Sequence, residues 1–209
     1  MSKPSIIKKS VLAGILIAIG ALFSMAARQY GPVVQGLCFS FGLFAVMCTG
    51  SRLFTGSMLA VKQLWRGKVS VSDLAVLWST LWAWNLVGAL AIALMAWCTA
   101  FDATAIAHAK AVLPWHSLFI RAVLCNVLVC LAVWVGTSGP EITHKFLSCL
   151  MPVACFVACG FEHSVADMLY MPLGWLQGAV SMGDCVRVIL MVTVGNMVGG
   201  IGFAWMVRE

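Results

Sequence analysis

A histidine in an apolar stretch is the residue best suited to chemistry in this chain. His163 directly follows Glu162 and precedes Asp167 by four residues, and the residues on both sides of this group are largely apolar. Histidine is the side chain that gains and loses a proton near neutral pH. The pattern predicts that His163 transfers a proton or donates a hydrogen bond, and the alternative is a buried structural histidine that is bonded to the backbone.

Two other chemistries would share this histidine. Cys155 and Cys159 lie on one helical face with His163, which would suit a metal ion, but no second cluster completes a coordination shell. No metal and no other cofactor is therefore predicted. Ser57 and His163 would form the Ser–His dyad of an intramembrane hydrolase, although the residues around Ser57 lack the Gly-x-Ser-x-Gly turn that exposes such a nucleophile. The hydrolase stays as an alternative from another functional class.

The composition indicates that these residues belong to an integral membrane protein. Hydrophobic residues make up 62% of the 209 residues and charged residues only 10%, and the mean hydropathy is +1.01. A soluble domain has about 25% charged residues. One span takes about 20 apolar residues, so the length allows about six spans. We expect residues 1–209 to form a single transmembrane channel domain, with a short cytoplasmic N-terminus over about 1–10.

Cysteine and charge patterns exclude two further classes. The nine cysteines are odd in number, form no Cys-x-x-Cys motif and lie mostly in apolar stretches, which argues against a disulfide framework. The 13 Lys and Arg residues are scattered and form no basic run, so nucleic acid is not a predicted partner.

Six apolar stretches follow one another, and two of them are interrupted. Their approximate bounds are 11–27, 32–48 resuming over 58–64, 74–101, 118–135, 146–173 and 186–207. The second breaks at 49–57 and the fifth at 160–164. Backbone that leaves a helix at membrane depth needs hydrogen bonds from protein or from a wet cavity. Each break also points the N-terminus of a short helix toward the bilayer centre, which favours an anion.

The two breaks occupy corresponding positions in two three-span halves. Each is followed by a similar phrase in the next span, Asn85-Leu86-Val87-Gly88-Ala89 and Asn196-Met197-Val198-Gly199-Gly200. A repeat with an odd number of spans is inverted relative to its partner, and paired broken helices in such a repeat indicate a transport site at the midplane. The predicted fold is an all-α integral membrane protein with six transmembrane helices in an inverted 3+3 repeat, with helices two and five broken.

The distribution of cations predicts the orientation. With the N-terminus inside, eight cations are cytoplasmic, namely Lys3, Lys8, Lys9, Lys62, Arg66, Lys68, Lys145 and Arg208. Four lie on or near the other side, namely Arg28, Lys110, Arg121 and Arg187. Because cations collect in cytoplasmic loops, both termini are predicted to be cytoplasmic in a multi-pass protein of the plasma (inner) membrane.

Five phrases in order along the whole chain resemble the formate/nitrite transporter family, and among its branches the wording is closest to the formate channels. The phrases are Cys38-Phe39-Ser40-Phe41-Gly42-Leu43, Leu53-Phe54-Thr55-Gly56-Ser57, the run Cys125 to Trp134, the run Phe156 to Ser164, and Gly195-Asn196-Met197-Val198-Gly199-Gly200. The resemblance implies an aquaporin-like six-span protomer, a pentamer in the lipid bilayer, and transport rather than catalysis.

The resemblance also implies roles for single residues. Leu43 and Phe156 match apolar residues that narrow the pore, and Thr55 matches a hydroxyl that hydrogen-bonds the central histidine, His163. Lys145 matches a lysine at the cytoplasmic mouth. Together with Glu162, the residues that the resemblance implies at the pore are Phe39, Leu43, Phe54, Thr55, Asn126, Lys145, Phe156, His163 and Asn196. The implied substrates are small monovalent anions of weak acids, formate first, with nitrite or hydrosulfide as alternatives.

The chain departs from the family pattern at three places. About ten residues precede the first span, where the family has about 30 more, so gating by such a segment is not expected. Arg52 stands where the family has an acidic or small residue, and Asp167 stands where it has Asn. An ion pair between Arg52 and Asp167 would let both charges be buried. The alternative is two independent residues that face wet vestibules on opposite sides.

Overall fold

Helices make up nearly all of the chain that the structure describes. The structure is a computed structural model and describes residues 3–99 and 101–208. Residues 1–2 of the predicted N-terminal segment, residue 100 of the predicted third span and residue 209 lie outside these ranges. No strand occurs within them. The α-helices there are α1 (Lys3–Ala26), α2 (Pro32–Thr49), α3 (Val61–Trp65), α4 (Val71–Trp97), α5 (Thr104–Ala111), α6 (Trp115–Gly136), α7 (Ile142–Ala158), α8 (Ser164–Leu176) and α9 (Met182–Met206).

Five of these helices are long and apolar enough to cross a membrane alone, within the described residues. They are α1 (from Pro4), α2, α4, α6 and α9. The predicted fifth span is divided between α7, with 17 residues, and α8, with 13. The prediction of an all-helical protein with several apolar helices is confirmed. The short helix α5 was not predicted, because its residues lie in a stretch that was assigned to a connection between spans.

The outward faces of the long helices carry large apolar side chains. Phe23, Leu94, Met95, Ile120 and Val194 are each between 38% and 66% exposed in the single protomer. A soluble protein would bury such side chains, whereas a bilayer or a neighbouring protomer covers them without cost. The inside of the bundle is also apolar but contains a set of buried polar groups, so both the inner and the outer faces of the helices carry apolar side chains.

Glycines bring two pairs of helices into close backbone contact. A Cβ atom at Gly88 of α4 would lie 2.2 Å from the Val11 carbonyl oxygen of α1, and one at Gly199 of α9 would lie 2.1 Å from the Val123 carbonyl oxygen of α6. Only glycine permits these approaches, which is the usual way helices pack closely in membranes. The pair α1–α4 and the pair α6–α9 are therefore built alike.

The substitution Gly199→Ala is expected to destabilise the protein by about 1–3 kcal/mol, because the added methyl forces α9 away from α6. Gly202 of the same helix is the matched control, since nothing lies within 4 Å of a Cβ built there. Gly202→Ala is expected to be neutral or stabilising by up to about 1 kcal/mol from helix propensity. Unfolding by SDS in mixed micelles measures the free energy of unfolding of both variants. Equal stability of the two variants would contradict the close packing of α9 on α6.

The chain leaves helical geometry after α2 and again after α7. Helix α2 ends at Thr49, and Gly50 follows with a φ of +61°; helix α7 ends at Ala158, and Gly160 has a φ of +66°. Glycine adopts this left-handed conformation without the steric cost of a Cβ. Residues 50–55 then lead to a 3₁₀ turn at Gly56–Ala60, and residues 159–163 lead to α8.

Candidate functional site

Asn85 of α4 holds the first non-helical segment. Its side-chain oxygen accepts a hydrogen bond from the Phe54 N–H at 2.8 Å. Its amide nitrogen donates to the Arg52 carbonyl at 3.0 Å and to the Ser10 carbonyl of α1 at 2.7 Å. Asn85 is fully buried. One side chain therefore satisfies the Phe54 N–H and the Arg52 carbonyl, which lie outside any helix, and connects them to α1.

Asn196 of α9 holds the second segment in the same way. Its side-chain oxygen accepts from the Ser164 N–H at 2.9 Å, and its amide nitrogen donates to the Glu162 carbonyl at 2.9 Å and to the Ala122 carbonyl of α6 at 2.8 Å. Asn196 is also fully buried. The two asparagines thus have the same three kinds of partner: the N–H where the next helical stretch begins, a carbonyl two residues earlier, and a carbonyl on a neighbouring long helix.

Asn126 of α6 connects the two segments. Its amide nitrogen donates to the Thr55 carbonyl at 3.2 Å and to the Asn196 carbonyl at 2.7 Å. Its side-chain oxygen is buried and accepts no hydrogen bond within the described part of the chain. Asn126 therefore holds the backbone of Thr55 in place, and it is not among the residues that line either of the two cavities beside the site.

The side chains of Thr55 and His163 meet between the two segments. Thr55 Oγ1 lies 3.0 Å from His163 Nε2. His163 is also the N-cap of α8, because its Nδ1 accepts a hydrogen bond from the Ala166 N–H at 3.2 Å. A nitrogen that accepts carries no proton, so this geometry assigns a neutral imidazole whose Nε2–H donates to the Thr55 oxygen. The Thr55 hydroxyl hydrogen is then available to another acceptor.

Two phenylalanine rings pack on the histidine. The Phe156 ring is stacked on the imidazole with centroids 6.0 Å apart and an interplanar angle of 17°. The Phe39 ring meets Phe156 edge-on at 5.6 Å, and its centroid lies 6.3 Å from that of His163. All three side chains are 3% exposed. The histidine is therefore fixed by two hydrogen bonds and by two apolar faces.

Two cavities approach this group, and they share no lining residue. The first, here called the Lys110 cavity, has a volume of about 400 Å³, and its lining includes Arg28, Phe39, Lys110, Arg121, Phe156 and His163. The second, here called the Lys145 cavity, has a volume of about 350 Å³, and its lining includes Leu43, Arg52, Leu53, Ser57, Val133 and Lys145.

An apolar barrier one helical turn deep divides the two cavities. Phe39 lines the Lys110 cavity and Leu43 lines the Lys145 cavity, and both side chains are buried on α2. Residues four apart on an α-helix are separated by about 6 Å along its axis. We call Phe39, Leu43 and Phe156 the apolar barrier. Only a small solute without a large hydration shell suits such a constriction.

Lys110 of α5 binds two acidic residues in the wall of its cavity. Its ammonium group forms ion pairs with Glu162 and with Asp167 Oδ1, the second at 2.8 Å. The predicted ion pair between Arg52 and Asp167 is therefore wrong. Arg52 lines the Lys145 cavity, whereas Asp167 lies in the first turn of α8 beside the Lys110 cavity. Arg52 and Asp167 thus border different cavities, and Asp167 is paired with Lys110 rather than independent, as the alternative interpretation had it.

Phe54 and Ser57 lie away from the histidine. Phe54 borders an apolar groove between α4 and α9, and it is not among the residues that line either cavity. The Ser57 hydroxyl donates to the Phe54 carbonyl at 2.5 Å and borders the Lys145 cavity, while His163 borders the other cavity and bonds to Thr55. The serine–histidine dyad of the hydrolase alternative is not formed.

Within residues 3–99 and 101–208, no group of three His, Cys, Asp or Glu side chains suits a metal ion.

Sequence reasoning did not identify Lys110 or Asn85 as site residues. Lys110 was predicted on the same side as Arg121, and both residues line one cavity. Its contacts with Glu162 and Asp167 have no local signal, because these residues follow 52 and 57 positions later in the chain. Asn85 had a signal, because its phrase matches the phrase that begins at Asn196. Arg28 also lines the Lys110 cavity. Its position after the first span did not predict this.

Comparison with known proteins gives a consistent result. A sequence profile described as formate/nitrite transporter matches residues 1–208. The chain is 31% identical to the formate channel FocA of Haemophilus influenzae, over 91% of this chain and 80% of that protein. It is 32% identical to the nitrite transporter NirC of Salmonella typhimurium, over 93% of this chain and 78% of that protein.

The fold matches a solved channel structure over its whole length. That structure is described as a pentameric formate channel with formate bound, and it superposes with a TM-score of 0.85 at 29% sequence identity. The alignment covers 99% of this chain and 97% of that chain.

Proposed function

The chain belongs to the formate/nitrite transporter family, and from that premise we propose that each protomer is a channel for formate. The family is one of channels and transporters, not of enzymes. Nitrite and hydrosulfide, also small monovalent anions of weak acids, are the alternative substrates. The observation that carries the proposal is the pair of cavities that approach the Thr55–His163 pair and are divided by a thin apolar barrier.

In this proposal the protomer has six spans in an inverted repeat. Helices α7 and α8 together form the fifth span, and residues 50–55 and 159–163 are the breaks in spans two and five. The matched bonds of Asn85 and Asn196 support this arrangement, as do the matched glycine contacts of α1–α4 and α6–α9. Residues 1–209 then form one transmembrane domain.

We further propose a homopentamer in the plasma (inner) membrane with both termini in the cytoplasm. The full-length similarity to a pentameric channel supports the number of protomers. The apolar side chains on the outside of the protomer suit burial against lipid and against other protomers. In this orientation the Lys145 cavity is cytoplasmic and the Lys110 cavity faces outward, in line with the excess of cations on the cytoplasmic side.

The apolar barrier sets the energetic problem of transport. A bare anion is costly to place between Leu43 and Phe156, because no water or polar group compensates for lost hydration there. The hydroxyl of Thr55, whose oxygen accepts from the Nε2–H of His163, lies next to the barrier and offers a hydrogen-bond donor in a dry place. A small weak acid crosses with the least penalty either as an anion held by this donor or as the neutral acid after gaining a proton.

Cationic side chains in both cavities attract the anion before it reaches the barrier. Arg28 and Arg121 line the Lys110 cavity, where Lys110 is already paired with Glu162 and Asp167, and Arg52 and Lys145 line the Lys145 cavity. Positive charge at the mouth of a narrow cleft raises the local concentration of anions. The structure thus supports a funnel on each side, and the outer one contains two arginines that the sequence did not mark as pore residues.

The substitution Arg28→Gln is expected to lower formate flux at subsaturating concentration and low ionic strength. Arg28 is exposed at the Lys110 cavity, so its loss weakens anion attraction through water by somewhat under 1 kcal/mol, or about three- to fivefold in flux. The difference should shrink at high salt, since screening shortens the range of the charge. Lys68→Gln is the control, because Lys68 is exposed and lines neither cavity. Equal effects of the two variants would refute a steering role for Arg28.

Flux into liposomes tests the proposed function and its alternatives together. The purified oligomer is reconstituted, and uptake of formate, nitrite and hydrosulfide is measured side by side against protein-free liposomes and against a Ser57→Ala variant. We expect formate flux well above the background, with Ser57→Ala close to the wild type. Failure of all three anions to enter would contradict the proposal, and a preference for nitrite or hydrosulfide would reassign the substrate.

A further inference from the structure

Three ionisable side chains form a buried cluster beside the pore. Lys110 of α5 contacts Glu162 and Asp167 with one ammonium group. The side chains of Glu162 and Asp167 are 4% and 0% exposed, and that of Lys110 is 13% exposed. Glu162 lies directly before His163, Asp167 lies in α8 and Lys110 lies in α5. The cluster is therefore assembled only in the folded chain.

The charges of the cluster do not balance. Two carboxylates and one ammonium leave one net negative charge on side chains that are almost completely buried, which is costly. Neither oxygen of Asp167 accepts a well-oriented hydrogen bond within the described residues, although Lys110 Nζ is 2.8 Å from Oδ1. One proton on the carboxyl pair would remove the excess charge and supply the missing donor. Carboxyl groups that share one site hold a proton in common for the same reason.

The groups around the cluster do not supply another counter-charge by direct contact. Arg121 of α6 donates to the Gly160 carbonyl rather than to either carboxylate, and Tyr170 places its ring 5.6 Å from Lys110 Nζ. The titratable and charged groups that face the cluster or its cavity are Arg28 after α1, Lys110 of α5, Arg121 and Cys125 of α6, and Glu162, His163 and Tyr170 of the α8 region. His163 is occupied by Thr55 and Ala166.

We propose that Glu162 and Asp167, held together by Lys110, form a proton-binding site in the wall of the Lys110 cavity. The site binds one proton, which comes from water in the cavity and returns to it, and the two carboxyl groups share it. No oxidant or other reactant is involved. The site is separate from His163, whose Nδ1 is used as a helix cap. Asp167 is the residue that creates it, because Lys110 and Glu162 alone would balance.

The proton site has a consequence for transport, and this part rests on the proposed function. When the site loses its proton, the wall of the cavity gains a negative charge and repels an arriving anion. When the site is protonated, the positive charges of the cavity act unopposed. Acidification is therefore expected to raise anion flux through the wild type beyond the effect of acid on the substrate itself, and Asp167→Asn is expected to lose this increase.

Infrared difference spectroscopy of the reconstituted oligomer tests the proton site without any transport. Spectra are compared over a pH range in which exposed carboxylates stay ionised, in H₂O and D₂O. We expect a carboxylic acid C=O band that shifts in D₂O, that disappears in Asp167→Asn and that disappears or moves in Glu162→Gln. Glu141→Gln is the control, because Glu141 is exposed at the start of α7 and is expected to keep the band.

The outcomes separate the proton site from the proposed function. A band of unchanged intensity and unchanged frequency in both Asp167→Asn and Glu162→Gln, or no band in the wild type, would overturn the proton site. If Asp167→Asn fails to assemble, Glu162→Gln alone decides by the same criterion. A band that behaves as expected in a protein that passes none of the three anions would uphold the site while the channel proposal fails.

Discussion

Replacement of Asn196 by leucine is expected to prevent stable folding of the protomer. Leucine has a similar size but leaves the Ser164 N–H and the Glu162 carbonyl without their buried partner, whereas the Ala122 carbonyl lies inside α6, where the helix supplies a backbone N–H. Each unsatisfied buried group costs about 1–3 kcal/mol, so the two together cost about 2–6 kcal/mol if their effects add. The measurement is the free energy of unfolding by SDS in mixed micelles, together with the yield of oligomer.

Gln35→Leu provides the matched control for this change. It also converts an amide to leucine, but Gln35 makes one weak, exposed hydrogen bond. Its amide nitrogen donates to the Arg28 carbonyl at a distance of 3.4 Å. We expect the control to stay within about 0.5 kcal/mol of the wild type, as for most surface changes. Asn85→Leu should resemble Asn196→Leu, since Asn85 has the same set of partners. A loss for Asn196→Leu no larger than that of Gln35→Leu would mean that the second segment is held by something else.

The second large effect is expected at His163, where two substitutions should differ in their effect on stability but not in their effect on transport. His163→Leu removes the acceptor for the Ala166 N–H and should cost about 0.5–2 kcal/mol, the usual loss of a helix N-cap. His163→Asn keeps a side-chain oxygen suited to that cap, so its stability should stay near that of the wild type. Both variants lose the imidazole donor to Thr55, so both should lose most of the formate flux.

Liposome flux and the SDS unfolding midpoint are measured on the same preparations of these variants. Thr55→Val is the companion, since it removes the oxygen that bonds to Nε2 and leaves the cap untouched. A His163→Asn protein with wild-type flux would remove the histidine from the transport step. Equal destabilisation of the leucine and asparagine variants would show that His163 does not act through the cap.

The two places where the chain leaves helical geometry could be predicted from sequence because their signals are local. A glycine stands at the end of each interrupted helix, at Gly50 and Gly160, and hydropathy falls over the same residues. The phrases that begin at Asn85 and Asn196 could be recognised as a pair, although only the second was given a role. The phrase match that indicated the family is confirmed by the profile over residues 1–208.

The partners of the buried charges could not be predicted, because they depend on which cavity each segment faces. Arg52 and Asp167 have opposite signs and stand at related breaks, so a pair was a reasonable interpretation. The folded chain instead brings Lys110 to Asp167 from α5, a short helix whose eight residues give no clear amphipathic signal. Ion pairing follows tertiary proximity, and neither charge sign nor helical spacing determines that.

The dual role of His163 was also beyond the sequence. An apolar stretch with one histidine predicts a functional group, and the resemblance adds a hydroxyl partner at Thr55. Neither indicates that the other ring nitrogen caps α8, because the N-cap depends on where the helix starts, and that position is uncertain by a residue or two in any sequence analysis. The structure places the start at Ser164, which makes the histidine both a cap and a donor.

Formate flux through two variants of Leu43 tests most directly whether the path runs between the two cavities. Leu43 is 2% exposed, lines the Lys145 cavity and contributes to the apolar barrier one turn from Phe39. Leu43→Ala is expected to widen the barrier and raise flux, and Leu43→Trp is expected to block it, with both proteins still assembled as oligomers. The same two changes at Leu94, an exposed residue of α4, serve as controls and should leave flux unchanged. If flux is the same in Leu43→Ala, Leu43→Trp and the wild type, the anion does not pass the barrier, and the account of the pore is wrong.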